Sequence, residues 1–340
     1  MKRIAKAKID DLFKAISEKE VLYLPVDDAQ GQAAFIPWKK GLKMSEDLNT
    51  VRSAKDLFFP QVESLVNFKM DGKKLEIIDA AREKDPFVIF GVRPCDAKSF
   101  EILDKVFYYS EPVDSFYIDR RDRSTVVVLA CSAPEETCFC QAFGIDQSEA
   151  AGGDVSAWMD GETLYLKAVT EKGEALLEGL PLEDADDKAV DGLKKDMKAI
   201  MDKLPLKDLD LSKFGPGKTQ ELFDDPAWAR LSESCLGCGT CTFVCPTCQC
   251  FDIKDFDGGK QIRRFRCWDS CMYSDFTQMS AGQPRPTQKE RFRQRFMHKL
   301  VYYPDMHEGM FSCVGCGRCL RKCPIHMNIV KVIKTIGEEK

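Results

Sequence analysis

The sequence predicts an α+β chain in two parts: an N-terminal α/β domain over residues 1–205 and a mainly α-helical domain over residues 225–340, joined by a linker at 206–224. Three observations carry this reading. Apolar runs of strand length, Phe87–Val92 and Thr125–Ala130, alternate with helical patterns in the first part. Leu206–Asp225 holds Gly215-Pro216-Gly217 and reads as a connection. Beyond it, one cysteine motif occurs twice, with a 68-residue step from Cys245 to Cys313 that contains a helix, which calls for a helix-rich module rather than a compact fold with adjoining motifs.

In chain order, Ile9, Leu12, Phe13 and Ile16 recur at helical spacing, so residues 5–19 form an amphipathic helix. Val21–Val26 and Ala33–Trp38 are short strands, broken by Asp27-Asp28 and Gly31. Phe87–Val92 runs into Arg93-Pro94-Cys95-Asp96 and then a helix through Phe107, while Thr125–Ala130 runs into Cys131, with Cys138-Phe139-Cys140 close behind. Residues 162–170 form a further strand. Val190, Leu193, Met197, Ile200, Met201 and Leu204 share one helix face, and that stripe is core packing. Asp225 as N-cap and Pro226 as first helical residue open the second domain. Thr287 and Glu290 form a capping box that starts a helix with Phe292, Phe296 and Leu300 on one face. Its Arg291, Arg293, Arg295 and Lys299 read as a solvated surface, with charge neutralisation or docking of an acidic partner as the functional alternative.

The chemistry lies in the cysteines. Cys235-Leu-Gly-Cys238-Gly-Thr-Cys241-Thr-Phe-Val-Cys245-Pro246 and Cys313-Val-Gly-Cys316-Gly-Arg-Cys319-Leu-Arg-Lys-Cys323-Pro324 both read C-x2-C-x2-C-x3-C-P. Thiolates at this spacing hold 4Fe-4S clusters, and the fourth cysteine of one copy ligates the cluster of the other. The expected sets are Cys235, Cys238 and Cys241 with Cys323, and Cys313, Cys316 and Cys319 with Cys245. Glycines at 237, 239, 315 and 317 are expected to keep side chains off the inorganic core. Zinc, which takes two separated pairs, fits the pattern poorly.

In open α/β sheets the loops at the carboxyl ends of neighbouring strands converge on one crevice. If the strands before Cys95 and Cys131 are adjacent, Cys95, Cys131, Cys138 and Cys140 form one four-thiolate metal site, a third 4Fe-4S cluster ahead of zinc. The other reading is buried core cysteines. Cys248, Cys250, Cys267 and Cys271 follow at a spacing that specifies no metal, so a further cluster there stays open. His298, His307 and His326 show no paired ligand pattern.

At 340 residues and 44% hydrophobic content the chain has enough material for two cores. Sixteen cysteines without an apolar signal core point to ligand thiols in a reducing cytoplasm rather than disulfides. No run is long enough to span a membrane. The net charge of -5 hides an asymmetry: residues 226–340 hold 18 Lys/Arg against 11 Asp/Glu, a net of +7, leaving -12 for residues 1–225. Two clusters with their thiolates need on the order of four compensating positive charges, so this basic balance implies no nucleic acid. No G-x-G-x-x-G follows a strand, which leaves no dinucleotide fingerprint.

The order Gly91-Val-Arg-Pro-Cys-Asp96, Cys138-Phe-Cys140, Cys245-Pro-Thr-Cys-Gln-Cys-Phe-Asp252, Trp268-Asp-Ser-Cys271 and Cys313-Val-Gly-Cys-Gly-Arg-Cys319 covers most of the chain. It resembles the iron-sulfur subunit that sulfhydrogenase (where it is the beta subunit) shares with anaerobic sulfite reductase. The resemblance implies an α-helical ferredoxin-type dicluster domain behind an α/β domain. It further implies a protein that passes electrons between a flavoprotein using NAD(P)H and a catalytic subunit of hydrogenase, sulfite reductase or heterodisulfide reductase type. Such a protein has no substrate site of its own. The competing expectation is an enzyme whose N-terminal cysteines reduce sulfur or disulfide directly, which requires an accessible thiol of low pKa.

Overall fold

Strands buried at every position lie inside a sheet covered on both faces. Phe87–Val92 and Ser124–Leu129 are buried throughout and hold that place. The computed structural model describes residues 1–47 and 49–338. Its strands are β1 (Lys2–Ala5), β2 (Val21–Asp27), β3 (Ala33–Pro37), β4 (Val62–Asp71), β5 (Lys74–Asp79), β6 (Phe87–Val92), β7 (Ser124–Leu129), β8 (Val155–Asp160), β9 (Thr163–Ala168), β10 (Glu183–Asp184), β11 (Phe251–Asp257) and β12 (Gln261–Trp268). The larger sheet runs β10-β1-β9-β8-β7-β6-β2-β3. β2, β6, β7 and β8 are parallel neighbours, and the outer strands are antiparallel.

Alternation along β6 and β7 divides the core between the two faces of the sheet. Val88, Phe90 and Val127 pack with Leu12, Phe13 and Ile16 of the helix Ile9–Ser17. Ile89, Val126 and Val128 pack with Phe100 and Leu103 of the helix Pro94–Phe107. The register slips between Phe90 and Val92, where Gly91 takes φ 87°. A bulge at this point turns the strand end toward Arg93 and Cys95. The N-terminal helix is shorter than the expected 5–19: Ala5 ends the strand that pairs with β9, and Lys6–Lys8 form a separate 3-10 turn before Ile9.

The second sheet, β11-β12-β4-β5, is antiparallel throughout. Its β12 comes from the C-terminal part and its β4 from the N-terminal part, with Ile262 opposite Phe68 and Cys267 opposite Val62. The helix-rich reading of the 245–313 step contains no such hairpin. Charged side chains hide the strand period there, yet they support the pairing: Arg264 grips Asp255 with two hydrogen bonds of 2.8 Å across β11 and β12. The helices Ala227–Glu233, Gln288–Met297 and Ile329–Glu338 supply Trp228, Phe292, Phe296 and Ile333 to the C-terminal core. The expected caps form: Asp225 accepts from the Ala227 N–H at 2.8 Å, and Thr287 with Glu290 closes a capping box.

Candidate metal centres

The two cysteine motifs fold alike. Gly237 and Gly239 take φ of 65° and 73°, and Gly315 and Gly317 take 58° and 75°, a region that side chains resist. A short helix follows each time, Thr240–Phe243 and Arg318–Lys322, so Cys241 and Cys319 lie in its first turn and Cys245 and Cys323 just past its end. A Cβ on Gly315 would lie 2.4 Å from the Phe139 carbonyl oxygen, and one on Gly317 2.6 Å from that of Thr137. The space these two glycines leave is therefore taken by the protein segment that carries Cys138 and Cys140. At Gly239 the Tyr273 ring takes it. At these three positions the glycine makes room for protein atoms.

Burial raises the thiols of Cys313, Cys316 and Cys319, the first to about 12, and negative charge on Cys245 pushes all three further up. Cys245 thus lies within electrostatic reach of the three thiols of the other motif, as a crossed fourth ligand would. Cys235 is raised by burial. Cys238 alone among the sixteen thiols, all of them in described residues, is exposed, and its hydrogen bonds with Thr240 lower it.

Three cations are buried among these sulfurs: Lys55 and Arg295 are 2% exposed and Lys299 3%. Lys55 Nζ donates to the carbonyls of Cys245 and Cys248, both at 3.0 Å. Lys299 Nζ donates to Thr247 Oγ1 at 2.6 Å and to the Ser312 carbonyl at 3.0 Å, and Thr247 Oγ1 lies 3.3 Å from Cys245 Sγ. Arg295 Nε reaches Cys241 Sγ at 3.4 Å and Nη2 reaches the Cys241 carbonyl at 2.9 Å. Among the described residues no carboxylate pairs with any of the three, and Arg295 Nη1 has no hydrogen-bond partner. A buried cation costs several kcal/mol unless an anion balances it. At Lys299 burial opposes the charge, but the sulfurs of Cys245 and Cys248 outweigh it and raise the pKa; at Lys55 burial prevails and lowers it. Converging thiols ringed by unpaired buried cations fit an anionic iron-sulfur cluster. The expectation of a solvated basic face is corrected for Arg295 and Lys299, which point inward.

Beyond the second motif, β6 and β7 are parallel neighbours, so their loops open on the same edge of the sheet. Cys95 sits in the first turn of Pro94–Phe107. Cys131 follows β7 and donates its N–H to the Gln147 carbonyl at 3.0 Å. The Phe139 N–H donates to the Gly315 carbonyl at 2.8 Å, which holds Cys138 and Cys140 against the second motif. Cys95, Cys131, Cys138 and Cys140 line a single cavity with Arg93, Gln147 and Cys316. Burial lifts the thiols of Cys95 and Cys131 and takes Cys138 and Cys140 up to about 12. A metal entering here would bind thiolates and release their protons.

The later cysteines separate. Cys248 donates to Cys245, and Cys271 donates to Cys250, which its hydrogen bonds lower to about 7. Cys267 lies on β12 opposite Asp252, and the charges it feels are those of Lys254, Asp252 and Asp269. The structure thus gathers Cys248, Cys250 and Cys271 beside Cys245 and leaves Cys267 outside. Among the described residues no three His, Cys, Asp or Glu side chains are grouped as a single metal ion would need. Sequence reasoning passed over Lys55 and Asp96. Lys55 lies in a stretch without periodicity, and Asp96 is 1% exposed and paired with Arg318 of the second motif.

Comparison with known proteins places these observations. A family profile described as a 4Fe-4S dicluster domain matches residues 234–327. Sulfhydrogenase 2 subunit beta of Pyrococcus furiosus is 34% identical over 265 residues, covering 74% of this chain and 74% of that protein. No solved structure matches the chain. Among the described residues no helix is long and apolar enough to cross a membrane. The doubled cysteine motif, its surrounding words and this identity together show that the chain belongs to the family of sulfhydrogenase beta subunits, iron-sulfur electron-transfer subunits with a 4Fe-4S dicluster domain.

Proposed function

We propose that this chain relays electrons, in the cytoplasm, between an NAD(P)H-oxidising flavoprotein and a catalytic subunit of hydrogenase, sulfite reductase or heterodisulfide reductase type. The subunit name of the Pyrococcus furiosus relative supports the hydrogenase member of that set. Residues 225–340 carry two centres, one on Cys235, Cys238, Cys241 and Cys323 and one on Cys313, Cys316, Cys319 and Cys245. Residues 1–205 carry a third on Cys95, Cys131, Cys138 and Cys140. A bound 4Fe-4S cluster takes up and returns single electrons. The chain's own residues fix the spacing of the centres and bury the second and third of them.

One observation carries this reading: the cavity of the four N-terminal thiols includes Cys316 in its wall, so the third centre abuts the second. A relay needs such contiguity, whereas a sulfur-reducing thiol needs an exposed thiolate, and burial drives all four of these thiols the other way.

Cys138→Ser in the full chain is expected to lower iron by about four per chain while the eight-cysteine pair stays loaded. Anaerobic purification with iron and sulfide assays decides this, and unchanged iron would return Cys138 to a structural role. The purified chain is also expected to carry no flavin and to oxidise no NAD(P)H, yet to bleach with dithionite. Stoichiometric flavin in the isolated chain would contradict the relay.

A further inference from the structure

Lys55, Arg295 and Lys299 approach the cluster ligands from separate parts of the chain, and this convergence is what the family likeness does not explain. We infer that Lys55 and Lys299 are positioning charges for the centre on Cys313, Cys316, Cys319 and Cys245, and that they make it the most oxidising centre in the molecule, where electrons come to rest. The inference builds on the cluster assignment proposed above.

An added electron makes a cluster more negative, so a fixed nearby cation favours the reduced state. The effect grows as water is excluded, because the Coulomb energy scales inversely with the effective dielectric. Lys55 and Lys299 are buried and bind on either side of Cys245, one at its carbonyl and one through Thr247. The nearest carboxylate in sequence, Asp56, offsets Lys55 in part but forms its ion pair with Arg52, at 3.1 Å. Arg295 reaches Cys241 of the first centre directly and feels Cys248, Cys245 and Cys319 as well, so it serves both.

The other two centres lack this imbalance. At the first, Cys238 is exposed, and water screens the charge around it. At the N-terminal cavity the buried Arg93 donates to the Leu129 and Ala130 carbonyls, and the buried Arg318 is neutralised by Asp96. Among the described residues, two buried lysines converge on the middle position alone.

The test is an EPR-monitored redox titration of the anaerobically purified, fully loaded chain. Lys299→Met is expected to lower the midpoint of one centre, with about a tenfold fall in its reduced-to-oxidised ratio at fixed potential, or about 59 mV for one electron. Lys55→Met should shift the same centre the same way, and Lys299→Arg should restore it. Lys55 and Lys299 lie on different elements, so either variant suffices if the other fails to load. Full iron with no shift in either Met variant, or equal shifts in every centre, overturns the inference while leaving the cluster assignment intact. Wild-type protein without iron at the eight cysteines overturns both.

Discussion

Cys316→Ala is expected to remove about four irons and four sulfides per chain and to stop electron flow, the largest functional effect of any single substitution here. The side chain is 8% exposed, between the second motif and the N-terminal cavity. Its loss therefore removes one of four anchoring thiolates and also opens a wall of the neighbouring site. Cys238→Ala should cost a similar amount of iron from the first centre alone, because Cys238 lies at the surface. Cys267→Ala, outside every group of converging thiols, should cost none. Iron and sulfide assays on anaerobically purified variants, with EPR to count the remaining centres, make the comparison. Full iron in Cys316→Ala would remove the second motif from the list of cluster sites.

What the sequence disclosed about the site was local, and what it hid depended on distant segments. The two motifs are legible because consecutive residues fix their backbone, down to the left-handed glycines. The strands before Cys95 and Cys131 are legible because all-apolar runs declare burial. The buried role of Arg295 and Lys299 is not, since their helix has a regular apolar face of Phe292, Phe296 and Leu300, and charges off that face ordinarily meet water. They meet sulfur instead because Cys241, Cys245 and Cys248 fold over them from elsewhere. The hairpin β4–β5 did leave a signal, Asp71-Gly72 between alternating runs. The joining of β4 to β12 left none, because pairing across so long a stretch of chain is set by tertiary packing rather than by any local word. That shared sheet ties the N-terminal part to the C-terminal part, since residues 1–205 alone would leave β4 with β5 and without β12.

The largest effect on stability is expected at Asp96. Its carboxylate and the Arg318 guanidinium are each 1% exposed and form a two-pronged ion pair, with Arg318 Nη2 at 2.7 Å from Asp96 Oδ2. Arg318 also donates to the Thr50 carbonyl at 2.7 Å and to Thr50 Oγ1 at 3.1 Å. Asp96 follows Cys95, and Arg318 precedes Cys319, so this pair clamps the N-terminal site to the second motif. Asp96→Asn keeps the shape but leaves a guanidinium buried without its counter-charge, and removing one partner of such a pair costs about 3–5 kcal/mol. Replacing both residues by apolar ones should recover much of that loss, since no charge then stays buried. Denaturant unfolding of the loaded protein, arranged as a double-mutant cycle, measures the coupling directly. Asp96→Asn within about 1 kcal/mol of wild type would mean that the two parts are held together by the shared sheet and the Phe139–Gly315 hydrogen bond instead.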